Sequence, residues 1–439
     1  MKRICIIALM AIGVMTAILS AGEPAKLTDE QLKSIRINGS TNKSALSYLE
    51  NEPMIFTFKV ESGSLPLDGY FLSCVRRGDD GKSFNTKVPA SETLTVKTSL
   101  DRPGFVSVAV KLVDAKDEPV VVKLGGHRRR HIGFYAGTAV KAETLKDCGE
   151  PADFDEFWAK QRKRLDAVPF KGLVKEEMVK KVANGTIYAV TIPCVGRPAT
   201  GYLCVPDGAA AKSLPAEIVF YGYGAYKQPL PGKVNKYKIQ LYLNAHGQEM
   251  GRDDAYYKEF FKSIRTKKYS YGFNPEENKD PETAFFNGMC LRLMRALEYL
   301  KSRPEWDGRS LRASGGSQGG LQTMWAAALD QDVNVAYPSI TWCCDLAGMD
   351  KAGRIHGPWR IAYTPALDYY DPVFMAKRIK KARVYIRRAG LGDYTCPPSG
   401  LAISYNNLAT PNKSISWVQG SDHGFIPEKS EVIVWKTGK

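Results

Sequence analysis

The segment Gly315-Gly316-Ser317-Gln318-Gly319-Gly320 carries the pattern Gly-x-Ser-x-Gly between a short apolar run and a second run, 318–329, that is rich in Ala, Leu and Met. The first run is predicted to be a β-strand and the second an α-helix. A serine on the tight turn between such a strand and helix is typical of a nucleophile, because bulky side chains two positions away on either side would collide there. The pattern therefore predicts Ser317 as a nucleophile, with Gly315 and Gly319 as its elbow glycines. A Gly/Ser linker is the alternative.

Strands and helices alternate around this turn from about residue 150 onward. Apolar runs predict strands at 216–221, 239–243, 311–315, 333–340, 382–387 and 414–418, and helical periodicity predicts helices at 154–168, 285–301 and 318–329. Alternation of this kind implies a mostly parallel sheet covered by helices. We therefore expect an α/β catalytic domain over residues 141–439.

The region before this domain is predicted to be all-β. The runs 55–60 and 106–112 alternate apolar and polar residues, and turn signals such as Gly78-Asp79-Asp80-Gly81 lie between such runs. Short strands spaced in this way favour a sandwich of the immunoglobulin-like type. We expect the sandwich to span residues 22–140 and to pack against the next domain rather than to bind carbohydrate.

The first 21 residues have the features of an export signal. Lys2 and Arg3 are followed by an uncharged apolar run, Ile4 to Leu19, and then by small residues. This is the pattern of a secretory signal peptide, with cleavage predicted after Ala21. We therefore expect a secreted or periplasmic protein with no membrane association beyond export, and an uncleaved membrane anchor is the alternative.

Composition and charge exclude several other classes of protein. Of the 439 residues, 44% are hydrophobic and 25% are charged, so the chain is too apolar to be disordered. The net charge is +16, but Lys and Arg are spread along the chain without a nucleic-acid-binding motif, and their densest run is Arg128–Arg130. No nucleic-acid partner is therefore expected. The nine cysteines include no Cys-x-x-Cys pair, so a zinc site is not expected, and disulfide pairing stays open.

A nucleophilic serine requires a base and a carboxylate that orients the base. Of the five histidines, His423 follows the last predicted strand, where a chain order of serine, acid and base places the base, whereas His356 lies in a loop between turn residues. Asp393 follows the predicted strand 382–387 at the end of a glycine-containing loop. We therefore predict His423 as the base and Asp393 as the acid, and a turn-capping role for Asp393 is the alternative.

Two backbone N–H groups are also needed to stabilise an acyl oxyanion. One is expected from Gln318, which directly follows the nucleophile, and the other from the loop Tyr221-Gly222-Tyr223-Gly224 after an earlier strand. The glycines of this loop let its backbone approach a substrate carbonyl. We therefore predict Tyr223 and Gln318 as the oxyanion donors.

Together, these motifs resemble the acetyl xylan esterase and cephalosporin C deacetylase family of carbohydrate esterases over about residues 150–430. The resemblance is carried by Phe154-Asp155-Glu156-Phe157-Trp158, Tyr221-Gly222-Tyr223, Gly247-Gln248, Gly315 to Gly320, and Gly392-Asp393 with Cys396-Pro397-Pro398-Ser399. It implies an α/β-hydrolase that removes small acyl groups, mainly acetyl, from sugars and needs no metal or other cofactor. It also implies Ser317, Asp393 and His423 as the catalytic triad, with Tyr223 and Gln318 as the oxyanion donors.

Four positions depart from the family's pattern without removing a triad member. The family's pattern has His at the position of Tyr221 and Arg at that of His246. It has a hydroxyl residue at the position of Gly400 and Glu at that of Gly424. We expect a secreted serine carbohydrate esterase that acts on acetylated sugars or on a polysaccharide such as xylan through an acyl-enzyme. A serine peptidase of the prolyl oligopeptidase type and a non-catalytic carbohydrate-binding protein are the alternatives, and formation of a homo-oligomer stays open.

Overall fold

The computed structural model describes residues 27–124, 126, 129–266 and 268–438. The predicted signal peptide, residues 1–21, and Arg128 of the basic run lie outside the described residues. None of the helices in the described part of the chain combines the length and the hydropathy that a transmembrane segment needs.

The amino-terminal region folds as two facing antiparallel sheets after a short helix, α1 (Asp29–Ser34). Its strands are, in chain order, β1 (Arg36–Thr41), β2 (Met54–Glu61), β3 (Phe71–Gly78), β4 (Ser83–Pro89), β5 (Leu94–Thr98), β6 (Gly104–Val113), β7 (Val121–Lys123), β8 (Arg129–His131) and β9 (Gly133–Val140). One sheet has the order β1-β2-β5 and the other β4-β3-β6-β9, while β7 pairs with β8. Because alternate side chains share a face, Phe56, Phe58 and Val108 meet in one core between the sheets.

A larger sheet forms the centre of the rest of the chain. Its strands are, in chain order, β10 (Lys175–Val182), β11 (Gly185–Ile192), β12 (Ala199–Pro206), β13 (Leu214–Phe220), β14 (Ile239–Leu243), β15 (Trp306–Gly316), β16 (Val335–Ser339), β17 (Arg383–Gly390), β18 (Lys413–Val418) and β19 (Val432–Thr437). The order in space is β10-β11-β12-β14-β13-β15-β16-β17-β18-β19. Every pair from β14 to β18 is parallel, and the outer pairs are antiparallel.

Helices cover this sheet, as the alternation of strands and helices predicts. They are α2 (Phe154–Asp166), α3 (Asp254–Ser263), α4 (Phe285–Ser302), α5 (Gln318–Leu329), α6 (Gly348–Ala352), α7 (Pro372–Met375) and α8 (Pro398–Asn407), with 3-10 turns at Ala142–Thr144, Glu277–Lys279, Pro365–Tyr370 and Ala376–Arg378. Helices α4 and α5 are buried on nearly all sides, because they lie between the sheet and other helices. The expected α/β class, with a mostly parallel central sheet preceded by a β-rich region, is confirmed.

The structure corrects the predicted ends of the sheet. Strands β10 to β12 were not expected, and β10 lacks the apolar alternation of a strand because nearly all its residues are exposed at the sheet edge. The expectation that His423 follows the last strand is wrong, since the edge strand β19 comes after it. His423 instead follows β18, the last of the parallel strands.

The two regions share apolar contacts. Ala45, Phe105 and Ala139 of the β-rich region belong to the same buried cluster as the large sheet and its helices. The Phe105 ring lies 5.5 Å from that of Trp417 on β18. The expected packing of the two regions against each other is thus present, and the division at residue 140 stays a prediction.

Candidate active site

Ser317 occupies a strained turn between β15 and α5. Its backbone angles are φ 57° and ψ −118°, outside the regions that a side-chain-bearing residue usually adopts. A Cβ atom on Gly315 would lie 2.7 Å from the Gly319 backbone, and one on Gly319 would lie 2.6 Å from the carbonyl oxygen of Phe220. Only glycine at these two positions allows the close approach, which puts the serine at the end of the parallel strands.

Three predicted residues are brought together at this turn. The Ser317 hydroxyl lies 3.0 Å from His423 Nε2, and His423 Nδ1 lies 3.0 Å from an Asp393 carboxylate oxygen. In the tautomer that serves both contacts, Nδ1–H donates to the carboxylate and Nε2 accepts from the hydroxyl. This hydrogen-bonded chain allows the imidazole to take a proton from the serine.

Asp393 is fixed by the loop that carries it, here called the acid loop (390–396). One of its carboxylate oxygens accepts hydrogen bonds from the N–H groups of Thr395 and Cys396 at 2.8 and 2.9 Å, while the other faces His423. The side chain is fully buried. Asp393 therefore does both things that the sequence left open: one carboxylate oxygen caps the turn, and the other contacts the imidazole of His423.

The competing residues lie elsewhere. His356 contacts the carbonyl of Gly357 at 3.0 Å and reaches no member of the group around Ser317. Asp422, although adjacent to His423, accepts hydrogen bonds from the N–H groups of Gly424 and Phe425. Burial raises the pKa of the Asp422 carboxyl, and the neighbouring Asp393 adds to that rise.

The two predicted oxyanion donors lie on segments near the serine, since Gln318 directly follows it and a Cβ atom on Gly222, next to Tyr223, would be 3.9 Å from the Gly316 carbonyl oxygen. Gln318 is the first residue of α5, so its N–H has no acceptor within the helix. The Tyr223 N–H makes no hydrogen bond to any of the described residues. The amino-terminal end of a helix carries partial positive charge, so the Gln318 N–H suits a negatively charged oxygen. The Tyr223 N–H is free to donate to the same oxygen from its loop.

A buried tyrosine that the sequence did not indicate links the two donor segments. The Tyr271 hydroxyl donates to the Gln318 side-chain oxygen at 2.7 Å and accepts from the Gly224 N–H at 2.8 Å. The Tyr223 hydroxyl donates to the Tyr271 carbonyl at 2.9 Å, and the two rings stack at 4.3 Å. Tyr271 therefore contacts both segments, and no motif marks it because the link depends on contacts between distant parts of the chain.

His246, one of the departures from the family's pattern, supports the same loop. Its Nε2–H donates to the carbonyl of Gly224 at 2.9 Å, and its ring packs on that of Tyr271 at 4.4 Å. Burial lowers the pKa of His246 to about 4, so this imidazole is neutral near pH 7. It contributes a hydrogen bond rather than a positive charge.

An aromatic cluster forms one wall beside the elbow. Around the Tyr223 ring stand Phe273, Trp342 and Trp359, with centroids 5.7, 5.2 and 5.5 Å away. Trp342 is buried, while 45% of Trp359 is exposed. The cluster thus runs from the predicted oxyanion donor to the surface, and an exposed aromatic face there suits a sugar ring.

Strand β9 of the amino-terminal region contacts both loops that carry the acid and the base. The Gln419 side chain accepts from the Gly137 N–H at 2.9 Å and donates to the Gly137 carbonyl at 2.8 Å, and the Tyr135 N–H donates to the carbonyl of Gly420 at 3.3 Å. Gly392 in the acid loop lies so close to the Tyr135 carbonyl that a Cβ atom would overlap it. The sequence did not indicate that the β-rich region would reach these loops.

A metal site is the other chemistry that this group of residues could offer. Ligand atoms of Asp393, Cys396 and His423 lie within 4.8 Å of one another. Burial, however, raises the pKa of the Cys396 thiol well above its usual value, so the thiol is neutral and a poor metal ligand. The Asp393 oxygens and both His423 nitrogens already have the hydrogen-bond partners given above, so we derive no step through a metal.

The sequence of this chain is similar to those of known esterases. A family model described as acetyl xylan esterase (AXE1) matches residues 143–355, which include Tyr223, Ser317 and Gln318. The acetyl esterase Axe7A of Xylanibacter ruminicola is 27% identical over an alignment of 342 positions, and the match covers 72% of this chain and 70% of that protein.

Two solved structures resemble about two thirds of this chain. An acetyl xylan esterase from Paenibacillus sp. R4 has a TM-score of 0.55 and 24% identity, and the match covers 65% of this chain and 94% of that one. Acetyl xylan esterase 1 from Thermoanaerobacterium sp. JW/SL YS485 has a TM-score of 0.53 and 21% identity, with 66% and 94% covered. These two likenesses establish the α/β-hydrolase fold.

Proposed function

The expected resemblance to the acetyl xylan esterase family is confirmed by these matches, and on that premise we propose that the protein is a serine esterase that removes acetyl groups from an acetylated carbohydrate such as xylan. The matches to esterases support ester hydrolysis as the general activity. The serine mechanism rests on one observation, the chain of hydrogen bonds from Ser317 through His423 to Asp393 at the end of the parallel strands.

In the proposed first step, the Ser317 oxygen attacks the carbonyl carbon of the acetyl ester as its proton passes to His423 Nε2. Asp393 stabilises the imidazolium through Nδ1–H, and the N–H groups of Tyr223 and Gln318 donate to the oxyanion. When the tetrahedral intermediate collapses, the bond to the sugar oxygen breaks and the imidazolium returns the proton to that oxygen. The free sugar hydroxyl leaves, and acetyl-Ser317 remains.

In the second step, His423 takes a proton from water, whose oxygen attacks the acetyl-serine carbonyl. Collapse of the second intermediate releases acetate and returns the proton to the serine oxygen. A quarter of the His423 side chain is exposed, so solvent water has access to its ring. The cycle consumes one ester and one water and leaves the enzyme unchanged.

The test is acetate release from a panel of acetylated glycans, measured beside a nitrophenyl ester and a peptide amide. We expect acetate from the esters and no cleavage of the amide. Cleavage of the amide alone would favour a peptidase of the prolyl oligopeptidase type. Binding of the glycans without acetate release would favour a carbohydrate-binding protein.

The shape of the amino-terminal region argues against the peptidase alternative. Such a peptidase carries a long propeller before its hydrolase domain, whereas the described residues before β10 form a three-stranded and a four-stranded sheet with one small hairpin. Residues 22–140 are too few for a propeller of several four-stranded blades. We propose that these residues form one sandwich domain and that 141–439 form the catalytic domain.

We also propose that the protein is exported by residues 1–21. The support is the sequence pattern of two basic residues, an apolar run and small residues before the predicted cleavage site. Export would give a polysaccharide esterase access to a substrate too large to enter a cell. Amino-terminal sequencing of the protein recovered from the culture medium or periplasm should begin at Gly22.

We expect the enzyme to prefer acetyl over longer acyl esters. The aromatic rings around Tyr223 restrict the space beside the elbow, and one methylene in a tight pocket changes discrimination by about 1–3 kcal/mol. The measurement is kcat/KM for nitrophenyl acetate, butyrate and octanoate, which should fall in that order. Rates that rise with chain length would contradict the proposal and indicate a lipase-like esterase.

We expect Tyr271→Phe to lower kcat more than it changes KM. The variant keeps the ring stacking but removes the hydroxyl that contacts both donor segments. Less exact placement of the donors should weaken stabilisation of the transition state, and a loss of about 1.4 kcal/mol there lowers the rate about tenfold. Tyr299→Phe is the matched control, because it removes a buried tyrosine hydroxyl that bonds to Glu176, which is not among the active-site residues. Equal effects of both variants on kcat would indicate a merely structural role for the Tyr271 hydroxyl.

A further inference from the structure

A cleft of about 530 Å³ lies between the two regions of the protein. One wall is the turn between β3 and β4, and the other includes Met349 and the loop 353–358. We call it the hairpin cleft. In the described part of the chain, no Asp or Glu side chain lines it, whereas Arg77 and Lys82 line the wall contributed by the turn. The lining is therefore basic.

Both acidic residues of the β3–β4 turn are directed away from the cleft. Asp79 is buried and accepts hydrogen bonds from the N–H groups of Phe105 and Ile355 and from the Ser399 hydroxyl, at 2.7 to 2.8 Å. Asp80 pairs with the buried guanidinium of Arg76 at 2.7 and 2.8 Å. The bond from Ile355 also fixes the turn to the opposite wall, so the walls of the cleft are held together by a buried contact.

The two cations on the turn keep their charge available. The side chains of Arg77 and Lys82 are exposed and form no salt bridge with any of the described residues. Arg102 and, to a smaller extent, Lys82 lower the pKa of the Asp101 carboxyl, which pairs with Arg102 at 2.7 Å. Arg354 on the other wall, by contrast, is neutralised by Asp345 at 2.6 Å. The cleft thus presents two unpaired positive charges on one side.

The cleft lies next to the proposed catalytic site. Residues 354–357 also line a second pocket, whose other lining residues include Trp359 and Thr395 of the acid loop. Gly357 lies directly against the backbone of Tyr394. The half-exposed Trp359 ring is 5.5 Å from that of Tyr223, the proposed oxyanion donor. The path proposed for a glycan whose acetyl group reaches Ser317 crosses Trp359 and continues along this loop into the hairpin cleft.

From this arrangement we propose that the hairpin cleft binds the carboxylate of a uronic acid residue carried by the same acetylated glycan. The proposal rests on the proposed esterase function and adds the class of its substrate. The guanidinium of Arg77 can hold a carboxylate through two parallel hydrogen bonds, and Lys82 adds a second positive charge. Because no acid is among the described residues that line the cleft, an anionic sugar meets no like charge in its walls.

The experiment compares kcat/KM for acetylated xylo-oligosaccharides with and without a glucuronic acid branch, and for acetylated oligogalacturonides, whose uronic acids form the backbone. We expect a preference for the uronic acid substrates that falls roughly tenfold in the double variant Arg77→Gln/Lys82→Gln, as the loss of two partly exposed ion pairs implies. Added salt should weaken the wild-type preference. Whether the branched or the backbone substrate responds identifies where the uronic acid is carried.

The matched control is Lys59→Gln/Lys97→Gln, which removes two exposed positive charges from the other sheet of the sandwich. It should leave every rate unchanged, and nitrophenyl acetate should be hydrolysed equally by both double variants. A wild-type enzyme without the preference, or a preference that survives Arg77→Gln/Lys82→Gln, would overturn the proposal.

Failure of the proposed esterase function would show itself as the absence of acetate release from every ester. If no acetate is released from any ester, calorimetry with the glucuronic acid-branched xylo-oligosaccharide tests the cleft alone. Binding to the wild type that is lost in Arg77→Gln/Lys82→Gln and kept in the control would support the uronic acid site. Absence of binding to the wild type would overturn it.

Discussion

Replacing Ser317 by alanine is expected to reduce kcat by a factor on the order of 10⁶, because removing the nucleophile of such a hydrogen-bonded group typically costs that much. The fold should be unaffected, since alanine occupies the strained backbone as serine does and only the hydroxyl contact to His423 is lost. The measurement is acetate release from nitrophenyl acetate, with circular dichroism and thermal unfolding to show that the variant is folded.

Ser314→Ala is the matched control for this variant. Ser314 lies on the same strand, three residues before the nucleophile, and its hydroxyl bonds to Glu217 rather than to His423. The control should keep most of the wild-type rate. An activity of Ser317→Ala within tenfold of the wild type would refute the assignment of the nucleophile.

His423→Ala should produce a loss of similar size, since serine and base act as one unit and their separate removals cost about the same, on the order of 10⁶. The variant removes both the acceptor for the Ser317 proton and the group that Asp393 orients. His356→Ala should keep most of the rate on nitrophenyl acetate, a substrate too small to reach the loop that carries His356. The opposite pattern would place the base on the loop 353–358 and contradict the geometry around Ser317.

The residues of the candidate site can be proposed from the sequence because local patterns mark them. Glycine is needed at positions 315 and 319 because a Cβ atom there would collide with backbone. The spacing of these two glycines around Ser317 therefore indicates the tight turn directly from a five-residue pattern. His423 and Asp393 follow parallel strands, whose carboxyl ends meet at one edge of the sheet. The structure brings these side chains within hydrogen-bond distance of one another. Whether they act together in catalysis is tested by the variants described above.

What the sequence could not indicate depends on contacts between distant segments. Tyr271 lies in an irregular stretch, and its hydroxyl gains a role only when Gly224 and Gln318 fold against it. The edge strand β10 escapes prediction because its exposed residues lack the apolar alternation that marks a strand, whereas β19 contains the apolar run Val432-Ile433-Val434-Trp435, which is itself a strand signal. The existence of β10 is decided by hydrogen bonds to a neighbouring strand.

The contact between β9 and the loop that carries the base has a consequence for the order of folding. Gly137 and Gln419 are 282 residues apart in the chain, whereas β15 and α5, which hold the serine, are consecutive. Bringing distant segments together costs chain entropy before any contact compensates for it, so such contacts form late. During refolding, the helical signal and the serine turn should recover first, and ester hydrolysis should recover only after the amino-terminal sandwich has docked on the last part of the sheet. The return of activity should therefore report on the closure of this long-range contact.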